Sequence, residues 1–176
     1  MIRPLWRRYK LDAGFSREIN AAIIKRGTTG NQLSRILTFD EAQTLLPVLS
    51  ALLRRAREAA LRAGTFESEM QELSQRIFLS GGMHVDVAAA ARRRAERDKA
   101  AQEARTIVEE MNEVGARLDD LAEGTLEIPC TAAGRTVLLC WTEGEAEIER
   151  WRENADGSEM RPVAEGPFRN ERDRPH

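Results

Sequence analysis

The chain has 176 residues, 32% of them charged, and a formal net charge of −2. This length fits one domain, or one domain with tails. No apolar run reaches the roughly 18 residues of a membrane-spanning helix, and no secretory signal is apparent, since no apolar core with small cleavage-site residues follows the basic N-terminus. The two cysteines, Cys130 and Cys140, are too few for a disulfide framework, which favours a reducing compartment. The two histidines lie near no other ligand residues, so a histidine metal site or catalytic triad is not predicted.

Residues 1–36 are expected to form a basic N-terminal arm outside the folded unit. Eight Lys/Arg stand there against Asp12 and Glu18, which gives +6 and leaves −8 for the rest of the chain. The segment has no sustained apolar period and ends in the loop-forming residues 26–31. Two interpretations stay open: a flexible arm, or an upstream extension read from a misplaced start codon.

A long first helix is predicted from about Phe39 to about Leu79. Apolar residues recur there at alternating steps of three and four, the period of a coiled-coil seam. The seam positions are Ala42, Leu45, Leu49, Leu52, Ala56, Ala59, Ala63, Phe66, Met70, Leu73 and Ile77. Thr38 and Glu41 have the spacing of a capping box at the start of this helix. Pro47 predicts a kink, or a restart of the regular helix at that residue.

A second helix is predicted from about Asp86 to about Arg117, after a break at Gly81-Gly82. Its seam consists of Ala100, Ala104, Ile107, Met111, Val114 and Leu118. An antiparallel hairpin then pairs large residues near its base and alanines in its middle. The pairs are Leu49 with Val114, Leu52 with Met111, Ala59 with Ala104, and Ala63 with Ala100. The same register sets the arginines of 92–97 opposite the glutamates of 67–72, which favours a neutralised helical flank, although a nucleic-acid patch is an alternative.

Beyond Gly115 the apolar period becomes that of strands. Segments 126–129, 136–141 and 146–152 predict a three-stranded antiparallel meander, with Ile148 and Trp151 on opposite faces of its last strand. In the middle strand, Val137, Leu139 and Trp141 point one way, while Leu138 and Cys140 point the other. The helical base, through Leu45, Leu49, Leu118 and Leu121, covers only one face. Since both faces of this strand are apolar, the other face must be covered by the arm, by the segment around residues 161–163, or by a second subunit.

Several motifs along the chain together resemble those of the bacterial and archaeal domain of unknown function 2203 family, over residues 37–163. They are Leu45-Leu46-Pro47, Gly115 with Leu118-Asp119-Asp120-Leu121, Gly124, Pro129, the run Gly134 to Trp141, Gly144-Glu145, Trp151, Gly157 and Arg161-Pro162. The resemblance implies no established activity. The chain also departs from the family pattern, which usually has Asp-Phe where Glu127-Ile128 stand, Trp-His where Trp151-Arg152 stand, and Gly-Phe where Gly157-Ser158 stand. If that histidine binds a ligand or moves a proton in relatives, Arg152 puts a shared site in doubt.

The candidate ligand-binding residues all lie in the predicted β base. They are Asp120, Glu127, Cys140, Trp141, Glu145, Trp151 and Arg161. Carboxylates near 119–123 and 143–149 are the ligands that a hard cation prefers, yet their spacing matches no metal loop, so no metal or other cofactor is predicted. Arg135, Arg152 and Arg161 either converge on an anion or pair with neighbouring glutamates. Cys140 is expected to be a buried, inert thiol, because a reactive one needs a basic neighbour.

The predicted fold class is therefore α+β: a long antiparallel two-helix coiled-coil hairpin with a small three-stranded antiparallel sheet at its base. The hairpin and the sheet form one domain over residues 37–163. The basic arm precedes this domain, and a disordered charged tail over 164–176 follows it. We expect a cytoplasmic, non-enzymatic protein that forms a homodimer through the β base or binds a protein along the hairpin. A ligand or metal pocket in the base, with hydrolytic activity as an option, is the alternative, and nucleic-acid binding through the arm and Arg92–Arg97 is a further one. No membrane partner is expected.

Overall fold

The computed structural model describes residues 35–154 and 158–170. Two helices come first, α1 (Phe39–Leu79) and α2 (Val87–Val114). Five strands follow in the order β1 (Arg117–Asp120), β2 (Thr125–Ala132), β3 (Arg135–Thr142), β4 (Arg150–Glu153) and β5 (Arg161–Pro162). Two short 3-10 helices, Val163–Glu165 and Pro167–Asn170, end the described chain. The fold class α+β is confirmed, with two helices packed against each other and an antiparallel sheet.

Helix α1 has the bounds that the apolar period predicts. The Thr38 hydroxyl accepts a hydrogen bond from the Glu41 backbone N–H, and the Glu41 carboxylate accepts one from the Thr38 backbone N–H at 2.9 Å, so the capping box is confirmed. The helix runs through Pro47 and does not restart there. It also passes through Gly64, which is buried within the helix.

Helix α2 begins as predicted and ends three residues early. Asp86 is its N-cap and accepts a hydrogen bond from the Ala89 backbone N–H at 2.9 Å. Gly115 ends it in a left-handed conformation, φ +108°, a typical helix C-terminus. The predicted end near Arg117 is therefore wrong. Leu118 continues the seam spacing in the sequence, but it belongs to strand β1.

Interhelical ion pairs follow one antiparallel register along the hairpin. Near the base, Arg55 pairs with Glu110 and Arg62 with Glu103, while farther out Arg97 pairs with Glu67 and Arg93 with Glu69. Each pair lies within two residues of the register that the alanine and leucine pairs predict. Such exposed pairs are worth about 0–1 kcal/mol each, so they adjust the register more than they stabilise the fold.

The sheet has five strands where the sequence predicts three. Its order is β1-β2-β3-β4-β5, with every neighbour antiparallel. The middle strands agree with the prediction, and β1 and β5 add an edge on each side. The last predicted strand is shorter than 146–152, because β4 starts only at Arg150. Ile148 therefore lies in the connection just before β4, and it packs in the same core as Trp151, not on the opposite face.

The hydrophobic core lies between the base of the hairpin and one face of the sheet. The seam residues Leu49 and Met111, together with Leu53 beside the seam, are fully buried there in one core with Leu139 and Trp141. Leu49 and the partly buried Leu45 pack in this core from the helical side, as predicted, whereas Leu118 and Leu121 join it from strand β1 and the turn after it, not from the helical base. We call it the inner face of the sheet, and the opposite one the outer face.

Residues near both ends of the described chain pack against the base of the hairpin and the sheet. Leu37 bridges to Cys130 beside strand β2. Phe168 lies in the stretch assigned by sequence to the tail, yet its ring lies 5.2 Å from the ring of Phe39. The predictions for residues 1–34 and 171–176 fall outside the described residues. Among the described helices, none is long and apolar enough to cross a membrane.

Candidate functional site

The candidate residues of the β base divide between the two faces of the sheet. Strand register decides this division, because partners in adjacent antiparallel strands point to the same side. Glu127 pairs in register with Cys140, and Cys140 with Arg150, so these three share the outer face. Trp141 and Trp151 belong to the inner face.

An ion pair crosses the outer face diagonally. Arg152 on β4 donates through Nε and Nη2 to the Glu127 Oε1 on β2, at 3.1 and 2.5 Å. Because Arg152 is in register with Leu138, and Glu127 with Cys140, the pair spans strand β3 above these two residues. Leu138 is only 3% exposed. The apolar side chains that led us to expect a second subunit are thus already buried within one chain.

A second polar contact set lies beside the first. Arg150 Nη2 donates to Glu145 Oε1 at 2.6 Å and to the Thr142 hydroxyl at 2.9 Å. The other oxygen of Glu145 accepts from the Thr142 backbone N–H at 2.8 Å. Glu145 therefore closes the β3–β4 turn, and its carboxylate has partners on both oxygens.

The outer-face thiol is held in its protonated form. Burial raises the pKa of Cys140, and the negative charge of Glu127 raises it further, whereas Arg152 and Arg150 lower it by smaller amounts. A thiol acts as a nucleophile or metal ligand as the thiolate. This environment therefore opposes nucleophilic chemistry at Cys140, although two basic residues are close.

The inner face holds the two tryptophans in place with hydrogen bonds to backbone oxygens. Trp141 Nε1 donates to the Glu145 carbonyl at 3.0 Å, and Trp151 Nε1 donates to the Pro162 carbonyl at 3.1 Å. The Phe168 ring meets Trp151 edge-on at 5.7 Å, and the Arg161 guanidinium lies 5.9 Å from the Trp151 ring centre. These contacts fasten strand β5 and the end of the described chain to the core.

Four of the carboxylates that suggested a metal site, Asp119, Asp120, Glu143 and Glu145, have partners in the protein. Asp120 Oδ1 accepts from the backbone N–H groups of Ala122 and Glu123, at 2.7 and 3.0 Å, and so shapes the β1–β2 turn. Glu143 pairs with Arg57 on the hairpin. Within the part of the chain that is described, no three His, Cys, Asp or Glu side chains are grouped as metal ligands would be.

The seven candidates therefore do not surround one pocket. Glu127, Cys140 and Glu145 come together on the outer face, while the tryptophans and Arg161 lie toward the inner one. Arg150 was not singled out from the sequence. Strand alternation could have found it, since it stands two positions before Arg152.

Glu127 and Arg152, two positions singled out in the sequence, are in direct contact. The sheet register places them on strands β2 and β4, where their side chains form the outer-face ion pair. Arg152 is thus a partner for a neighbouring glutamate, one of the two roles considered for it.

A different surface lies at the far end of the hairpin. Large apolar side chains are exposed at the last residues of α1, in the turn, and at the first residue of α2. These are Phe78 (84% exposed), Leu79 (74%), Met83 (47%) and Val87 (76%). We call these four residues the hairpin end. Sequence reasoning missed it, because an apolar residue beside a turn gives no sign of whether another segment covers it.

Fold and surfaces together define an α+β protein in which a helical hairpin projects from an antiparallel sheet. The chain belongs to the family described as "Uncharacterized conserved protein (DUF2203)", whose model matches residues 35–163. The resemblance inferred from the sequence is thus confirmed. Searches among curated proteins and among solved structures gave no match.

Proposed function

We propose that this chain is a binding protein and not an enzyme, and that its hairpin, packed as a coiled coil, carries the binding surface at its end. The β base would then serve as the support that holds the hairpin. The single observation that carries this proposal is the hairpin end, an apolar surface far from the protein's own core.

The distance between that surface and the core supports the proposal. The last buried residue of α1 is Gly64, and the first of α2 is Ala100. From Gly64 to Leu79 the helix extends by about 22 Å at 1.5 Å per residue. This outer part of the hairpin adds no buried side chain to the core, so folding of the base does not explain it.

The exposure of the hairpin end supports the same conclusion. Single exposed apolar residues are ordinary on protein surfaces, and Ile36, Val48 and Met160 are such cases. A cluster of four within ten residues is different, since contiguous exposed apolar surface marks interaction sites. The Gly82 backbone N–H donates to the Ile77 carbonyl at 3.1 Å, which ties the turn back to α1, and all four residues stand at this one end of the hairpin.

The alternatives find less support among the described residues. A ligand or metal pocket in the base lacks a set of converging side chains, because the candidates lie on two faces. For nucleic-acid binding through Arg92–Arg97, two of the four arginines there already pair with acidic residues, Arg93 with Glu69 and Arg97 with Glu67 and Asp98. A homodimer through the sheet stays a prediction.

The test is sedimentation of an unclarified cell extract from the source organism that contains the tagged full chain. Wild-type protein should sediment faster than the purified chain, and the double variant Phe78→Ser/Leu79→Ser should not. Val48→Ser is the matched control, since it removes an exposed apolar side chain from the same helix near the base. Wild-type protein that sediments as the free chain would contradict a binding function, and a double variant that still sediments fast would remove the hairpin end as its site.

A further inference from the structure

The hairpin end is flanked by positive charge. Between residues 76 and 94 the chain has four arginines, Arg76, Arg92, Arg93 and Arg94, and one acidic residue, Asp86, which gives +3. Arg93 pairs with Glu69, whereas the other three arginines are exposed and form no ion pair with a described residue. The rest of the chain beyond residue 36 is acidic, so this local excess stands out.

The spacing of apolar and basic residues fits a lipid surface. Arg92 and Arg94 follow Val87 by five and seven residues, which places them about 8–10 Å farther along the helix axis. The polar layer on each side of a bilayer is about 5–8 Å thick, and interfacial segments bury their apolar face about 5–10 Å deep. With Phe78 and Val87 at the boundary of the acyl chains, the arginines would reach the phosphates.

The form of the surface disfavours other partners. Docking into a protein groove uses an apolar stripe along one helix face, at i, i+3, i+4 and i+7. Here Phe78 and Leu79 are adjacent in sequence, and the exposed apolar residues stand at the end of α1, in the turn and at the start of α2, not as a stripe along one helix. If a second copy of the chain docked with its hairpin end against this one, two segments that each carry a net charge of +3 would meet and repel each other.

We propose that the hairpin end attaches the protein peripherally to an anionic lipid surface, with the apolar residues inserted and the unpaired arginines on the lipid phosphates. This inference rests on the proposed function, and it names the partner of the same surface. The expectation of no membrane partner came from the absence of a spanning segment, which a peripheral contact does not need.

The experiment measures binding of the purified full chain to vesicles by co-sedimentation. One set consists of phosphatidylcholine mixed with phosphatidylglycerol, and the other of phosphatidylcholine alone. Wild-type protein should bind the mixed vesicles, and less at high salt. Phe78→Ser/Leu79→Ser should lower the partition coefficient by at least about tenfold. Arg92→Gln/Arg94→Gln should lower it by about tenfold or more on anionic vesicles.

Residues 1–36 carry a charge of +6 in every variant, so their contribution to vesicle binding is the same throughout. Two further variants serve as controls. Val48→Ser and Arg54→Gln remove an exposed apolar and an exposed basic side chain near the base, and neither should change binding. Circular dichroism should be the same for all variants, since each substituted side chain is exposed.

Absence of wild-type binding to the mixed vesicles would overturn the inference, as would equal binding by wild type and hairpin-end variants. Equal binding to both kinds of vesicle would also overturn it, because the arginines would then have no role. The protein could fail to bind vesicles and yet sediment fast in the extract only when Phe78 and Leu79 are present. In that case the lipid inference is wrong, and the binding function stands with a protein as the partner.

Discussion

Arg57 joins the hairpin to the sheet, and its removal should weaken the fold more than its charge alone suggests. Its Nε donates to the Leu121 carbonyl at 3.1 Å, and its Nη1 pairs with the Glu143 carboxylate. These partners precede β2 and follow β3, so one side chain ties α1 to two turns of the base. A Cβ on Gly124 would lie 2.5 Å from Arg57 Nη2, which shows how closely the chain surrounds it.

The magnitude follows from burial. The side chains of Arg57 and Glu143 are 11% and 18% exposed, so the pair is screened by water much less than a surface pair. A hydrogen bond to a charged group is worth about 1.5–3 kcal/mol, and removing one partner of a fully buried pair costs about 3–5 kcal/mol. For this partly buried pair, Arg57→Ala should cost about 2–4 kcal/mol of the free energy of unfolding.

Urea denaturation followed by far-ultraviolet circular dichroism measures this change. The matched control is Arg62→Ala on the same helix, whose ion pair with Glu103 has side chains 50% and 48% exposed; it should cost about 0–1 kcal/mol. In a double-variant cycle, Glu143→Gln should lose most of its effect once Arg57 is gone. Equal small losses for Arg57→Ala and Arg62→Ala would refute the view that Arg57 fastens the hairpin to the base.

Three further predictions use denaturation in the same way. Leu49→Ala should cost about 2–5 kcal/mol as a large-to-small change in the core, whereas Ala59→Gly should cost about 1 kcal/mol through backbone entropy; equal negligible losses would mean that the seam is not buried. Gly115→Ala should destabilise, because its Cβ would lie 2.7 Å from a backbone carbonyl oxygen at φ +108°, and more than Gly82→Ala, which has a similar φ but open space; the reverse order would refute the close approach. Since the folded state raises the pKa of Cys140 above the ordinary 9.0, the thiol's contribution to stability is full below pH 9 and is lost as the pH rises beyond. Cys140→Ala should therefore make stability less dependent on pH above 9, and an unchanged profile would contradict the shift.

The helical part of the fold could be predicted from the sequence because local signals agreed there. The capping box at Thr38 and the apolar seam predicted the bounds of α1. The seam positions from Leu49 to Ala63 are buried as expected, whereas those from Phe66 to Ile77 are only partly buried. The matched alanines then indicated the register, since Ala59 and Ala104 leave room for close approach of the helices. In the sheet, period-two alternation identified β3 and assigned Leu139 and Cys140 to opposite faces.

Strand β1 and the contacts on the outer face of the sheet could not be predicted from local sequence signals. Leu118 follows Val114 at helical spacing, so the seam pattern continued past the true end of α2, and only Gly115 indicated that end. The contact between Glu127 and Arg152 joins residues 25 apart, on strands that are not neighbours. It depends on the combined register of three strands, which turn residues alone do not specify. The hairpin end was missed for a similar reason, since exposure is a property of the whole fold.

Amide hydrogen exchange tests most directly the claim that the hairpin end is where this protein binds. The tagged full chain would be recovered from an unclarified extract together with what it binds, and its exchange compared with that of the free chain. Binding at the hairpin end should add protection between residues 76 and 94 and leave exchange in strands β2 and β3 unchanged. Protection confined to the sheet, with the hairpin end exchanging as in the free chain, would contradict it.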